Sequence, residues 1–127
     1  MGASAAGPGE LAVLVVDDQP LFRGIARTLV GTLPGWVVVG EAASGEEGVE
    51  LARATRPRLV LMDVHLPGID GLEATRRIVA ADPGVIVLLM SSYAREDLPG
   101  DVTGCGAVGY VPKDELSPAA LRVHAGA

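Results

Sequence analysis

"VLMDVHLPG", residues 60–68, sets one aspartate, Asp63, between a run of strand-forming apolar residues and a Pro-Gly turn. An apolar run without alternation is how a strand reads when both faces of a parallel sheet are covered. A carboxylate has no place in the body of such a strand, so Asp63 belongs at its exit.

Four further segments have the same character: "LAVLVV" (11–16), "WVVVGE" (36–41), "VIVLLMS" (85–91) and "AVGYVP" (107–112). With "RLVLMD" (58–63) they make five candidate strands, each bounded by Gly, Pro or Asp. Helical spacing fills the intervals. Leu21, Ile25, Leu29 and Leu33 fall on one stripe behind Pro20, a residue suited to a first turn. Ser44 with Glu47, and Asp70 with Glu73, form capping-box patterns, and Ser117 before Pro118 opens a last helix. Strand and helix in regular alternation require parallel pairing through right-handed crossovers. The expected fold class is therefore α/β: a doubly wound parallel sheet of five strands between two layers of helices.

The 127 residues suffice for one packed core and not for two. Residues 1–9 read as a flexible tail and 10–127 as the single domain, with no effector domain attached. A formal charge of −6 leaves no basic field to follow a phosphate backbone, so direct nucleic-acid binding is not expected. The single cysteine, Cys105, cannot form an intramolecular disulfide. No apolar run approaches the roughly 20 residues of a membrane span, and the N-terminus lacks the pattern of a secretion signal. The expected location is the cytoplasm.

In a doubly wound sheet, chemistry gathers at the carboxyl ends of the strands. There the chain places Asp17 and Asp18 after strand one, Asp63 after strand three, Ser91 and Ser92 after strand four, and Lys113 just beyond strand five. Taken singly, each has an ordinary explanation: an Asp pair or a Ser caps turns, and a lysine is solvated. Their convergence at one sheet edge is what the ordinary explanation does not require. Three neighbouring carboxylates raise one another's pKa unless a cation sits among them, and hard oxygen donors suit Mg²⁺. The remaining carboxylate can act as a nucleophile toward phosphorus, with Lys113 and Ser91 facing the equatorial oxygens. Lys113 is the one lysine among ten basic residues, so a compact ammonium at this point is a specific choice.

Four segments in order, "VVDDQPLFRG" (15–24), "LVLMDVHLPGIDGLEA" (59–74), "VLLMSSY" (87–93) and "GYVPKDELS" (109–117), resemble the receiver domain of two-component response regulators, the CheY-like family. The "QPLFRG" start and the "YVPKD" ending are most similar to receivers of LuxR-type regulators, whose output is transcription regulation. The resemblance implies the strand order 2-1-3-4-5. It implies Asp63 as phosphoacceptor, and Asp18, Asp63 and the backbone carbonyl of His65 as Mg²⁺ ligands, with Asp17 acting through water. Ser91 and Tyr110 match the switch pair and Lys113 the family lysine. His65 and Tyr93 flank the phosphoryl position and would govern its lifetime. Met62 and Leu66 read as packing residues, and His124 as an exposed residue without a role. The implied partner is a sensor histidine kinase or phosphotransfer protein, with a small acyl phosphate as alternative donor. A homodimer is also among the partners the resemblance allows. The implied function is signalling rather than enzymatic turnover.

The chain departs from that pattern between strands four and five. "AREDLPGDVTGCGAVG" (94–109) puts Pro99, Gly100, Gly104 and Gly106 where the family has an amphipathic helix. Interior Pro costs a helix about 3 kcal/mol and Gly about 1 kcal/mol, so a short or broken helix is expected. That departure supports one competing function, an interaction module that no longer uses phosphorylation; the acidic site allows another, a Mg²⁺-dependent aspartyl phosphatase. The latter usually carries a D-x-D motif on its first strand, where this chain has adjacent aspartates.

Overall fold

The computed structural model describes residues 6–92 and 104–126. Five strands, β1 (Leu11–Val16), β2 (Trp36–Ala42), β3 (Leu59–Asp63), β4 (Ile86–Ser91) and β5 (Gly109–Pro112), form one parallel sheet in the order β2-β1-β3-β4-β5. Among the described residues the helices are α1 (Pro20–Gly31), α2 (Gly45–Thr55), α3 (Gly71–Ala81) and α4 (Pro118–Ala125), with a 3₁₀ turn at Lys113–Glu115. The expected α/β class and strand order are both present. Tyr93 and the segment expected to hold a broken helix lie outside the described residues, apart from Gly104 to Gly109.

β3 is buried over all five residues, and β1 and β4 over all but their first. Their side chains alternate between two cores. Val13, Val15, Leu61, Leu88 and Met90 face α1 and α4, through Phe22, Ala26, Val30 and Leu121. Leu14, Val16, Val60, Met62 and Leu89 face α3, through Leu72, Ala74 and Ile78, with Val49 and Ala52 of α2 packed alongside. That two-sided burial explains the unbroken apolar runs. Met62 is fully buried and Leu66 packs against the second core, as expected for packing residues.

Helix starts are set by the residues that predicted them. Ser44 Oγ accepts the Glu47 N–H at 3.1 Å, while Glu47 Oε1 accepts the Ala43 N–H at 2.8 Å. Asp70 Oδ1 accepts the Glu73 N–H at 2.9 Å, and Ser117 Oγ the Ala120 N–H at 3.1 Å. α2 ends on Arg56 in the left-handed region.

α1 corrects one expectation. Its packed stripe is Phe22, Ala26 and Val30, whereas Leu21 is 79% and Ile25 45% exposed; of the expected stripe, Leu29 packs partly against the core and Leu33, just past the helix, is buried in it. α1 carries two apolar stripes one residue apart, and the one holding the phenyl ring and the small Ala26 lies against the sheet. His124 is also not fully exposed: its ring packs on Gly109 of β5, where a Cβ would come within 2.8 Å of it.

Candidate functional site

β1 and β3 are neighbours whose last residues leave the sheet at the same edge, which brings Asp17 and Asp18 beside Asp63. Ligand oxygens of the three lie within 4.8 Å of one another. Asp17 is fully buried and Asp63 nearly so, while Asp18 is exposed. Strand pairing carries the arrangement outward: Asp63 lies opposite Met90, and Ser91 opposite Pro112, the residue before Lys113.

Lys113 reaches back over this edge. Its Nζ is 2.6 Å from Asp17 Oδ2 and 3.4 Å from Asp63 Oδ2, and it donates to Gln19 Oε1 at 3.2 Å. It also sits 4.6 Å from the centre of the Phe22 ring, a cation–π position. Asp17 Oδ1 accepts the Gln19 N–H at 2.9 Å, and Asp63 Oδ1 accepts the His65 N–H at 3.2 Å. Asp17 Oδ2, despite its short approach to the ammonium, has no aligned hydrogen bond.

Burial, reinforced by the negative charge of Asp17, pushes the Asp63 carboxyl up to about 6, against the opposing pull of Lys113 and the His65 N–H. One ammonium therefore under-compensates three carboxylates. An acid cluster with a buried oxygen lacking a hydrogen bond, built from hard oxygen donors, fits a small divalent cation.

The β1–α1 turn is fixed from behind. Arg23 donates to the Asp17 carbonyl at 2.7 Å and approaches Glu41 of β2 at 3.5 Å, and Arg27 pairs with the same Glu41 at 2.7 Å. Arg27, by hydrogen bond and charge, holds the Glu41 carboxyl below the usual carboxylate range.

Of the residues singled out from sequence, Asp17, Asp18, Asp63 and Lys113 come together. Ser91 is buried at the end of β4, Tyr110 is partly buried in β5 against the second core, and His65 is exposed on the loop after β3. Gln19, Phe22 and Arg23 escaped the sequence reading as site residues. All three lie in the quoted "QPLFRG", but no spacing rule announces a lysine 94 positions away.

The family model for the response regulator receiver domain matches residues 13–125. The chain belongs to the response regulator receiver family. This receiver is 41% identical over 121 residues to the response regulator GacA of Pseudomonas aeruginosa, covering 91% of this chain and 56% of that protein. It spans about half the length of the curated relatives it matches. A LuxR-family two-component response regulator from Aurantimonas superposes with a TM-score of 0.79 at 38% identity, over 88% of this chain and 79% of that one. A response regulator from Burkholderia pseudomallei, solved with a phosphorylated aspartic acid, calcium ion and citrate, gives 0.78 at 26% identity, over 91% of the receiver and 66% of that chain.

Proposed function

We propose that this receiver takes a phosphoryl group onto Asp63 from a phosphohistidine of a sensor kinase or phosphotransfer protein, or from a small acyl phosphate. The observation that carries the reading is the gathering of Asp17, Asp18 and Asp63 oxygens within 4.8 Å, with the Lys113 ammonium on Asp63 Oδ2. Asp18, Asp63 and the His65 carbonyl would hold Mg²⁺ directly and Asp17 through water; when bound, the ion supplies charge compensation for the carboxylates and the incoming phosphoryl oxygens. An Asp63 carboxylate oxygen forms the new bond to phosphorus as the bond to the donor's nitrogen or oxygen breaks. Lys113, held ready by Gln19 and Phe22, then faces the added negative charge.

Ser91 is the hydroxyl that would answer the new oxygens, and Tyr110, two sheet positions along, the side chain that would turn inward. His65 and Tyr93 would shield the acyl phosphate from water. Phosphorylation of Asp63 changes the surface around β5, and the output passes to a partner, in the manner of signalling rather than turnover. Control of transcription is the output proposed on the strength of the LuxR-family relative. No described helix is long and apolar enough to cross a membrane, and we place the receiver in the cytoplasm with its kinase's catalytic part.

Incubation with Mg²⁺ and acetyl phosphate, followed by intact mass measurement, tests the reading. The expected result is a single phosphoryl adduct that Asp63→Asn abolishes. No adduct on the wild-type protein favours the interaction module, and steady turnover of simple phosphate esters favours the phosphatase.

A further inference from the structure

The loop between β3 and α3, residues 64–70, carries the His65 carbonyl and is tied down at both ends. The Val64 N–H donates to Met90 O at 2.9 Å, and the Gly71 N–H to Val64 O at 2.8 Å. At Gly71 an added Cβ would collide with the Asp63 carbonyl oxygen, so the start of α3 rests on the backbone of the phosphoacceptor. The far limb of the loop is held by α2. Glu46 Oε2 accepts the Ile69 N–H at 3.1 Å across 23 residues of sequence. The same carboxylate lies on Gly68, whose φ of +75° and lack of a Cβ let it approach. Beside it, Gly45 packs on the Ile69 carbonyl so closely that a Cβ there would sit 2.6 Å from the oxygen.

We infer that Glu46 is a positioning residue: its carboxylate latches the β3–α3 loop to the first turn of α2 and thereby presets the His65 carbonyl for the divalent ion. The inference rests on the proposed role of His65 as a ligand. A negative side chain in the first turn of α2 is favoured there in any case. That electrostatic contribution needs charge alone, whereas the latch needs an oxygen that accepts from Ile69. A loop already held in its binding geometry pays less on binding, so releasing it weakens the ion's affinity.

Glu46→Ala, Glu46→Gln and Glu47→Ala, each in the full chain, separate these contributions by Mg²⁺ titration calorimetry and thermal melting without the ion. Glu46→Ala is expected to weaken Mg²⁺ binding about five-fold, the change that corresponds to one hydrogen bond of about 1 kcal/mol. Glu46→Gln keeps an acceptor oxygen and is expected to restore wild-type affinity. Glu47→Ala removes the acceptor of the Ala43 N–H and is expected to lower the melting temperature while leaving Mg²⁺ affinity unchanged. Wild-type affinity in Glu46→Ala, a Gln variant as weak as the Ala variant, or equal weakening in Glu47→Ala would each overturn the latch while leaving the phosphoacceptor reading intact. A wild-type protein that binds no Mg²⁺ overturns the ligand assignment and the latch with it.

Discussion

Asp63 holds its proton to about pH 6 because it is buried next to the charge of Asp17. The folded chain thus binds this proton more tightly than the unfolded chain, whose carboxyl titrates near 3.8. Stability from this group is fully present below pH 3.8, declines as pH rises through that window, and is lost above about 6. Without a metal, the ionised and buried carboxylate therefore costs stability at neutral pH. Asp63→Asn, which keeps the shape and drops the charge, is expected to gain stability in urea titrations at pH 7.5 without Mg²⁺. The gain should fade toward pH 4. A gain independent of pH would contradict the electrostatic origin. The acid trio and Lys113 were legible as a set because each follows a strand, and strand ends of a doubly wound sheet share an edge. Gln19 and Phe22 were not legible in that way, since their contacts with Lys113 depend on how a long, flexible stem drapes over α1 after the chain has closed.

Helix starts are local chemistry, so at the scale of elements the sequence speaks plainly. Ser44, Asp70 and Ser117 cap α2, α3 and α4 because a short oxygen-bearing side chain can bond an amide three residues on without help from the rest of the fold. Ser44→Ala is expected to cost about 1 kcal/mol in chemical denaturation while leaving Asp63 phosphorylation in place. Choosing the buried face of α1 is not a local matter. Leu21 and Ile25 are as apolar as Phe22 and Ala26, and only the closeness of β1 and β2 selects the narrower stripe. β5 shows a similar limit at its start: "AVGYVP" suggests a strand from 107, and pairing with β4 begins only at Gly109. Gly71 is the element-scale position with least freedom. Gly71→Ala is expected to destabilise by several kcal/mol, since either the β3 terminus or α3 must shift. A melting temperature within a few degrees of wild type would refute that close approach.

For the molecule as a whole, the parallel doubly wound sheet follows from alternation and crossover handedness, its order β2-β1-β3-β4-β5 was legible only through the family resemblance, and the two cores follow from side chains alternating along buried strands. Leu61, fully buried at the centre of β3, tests this directly. Leu61→Ala is expected to cost about 3 to 5 kcal/mol by equilibrium unfolding, the lost burial of the removed carbons and the cavity left behind both contributing. The borders of the sheet carry a different message. β5, the outermost strand on one side, has four residues and ends on Pro112, which has no amide hydrogen to offer. β2, on the other side, is interrupted by an irregularity in its pairing between Val38 and Gly40. Neither rim presents a long, flat row of free donors and acceptors to a stray strand. This molecule is accordingly a poor seed for fibrillar growth, and crowding it to high concentration should yield discrete particles rather than cross-β threads.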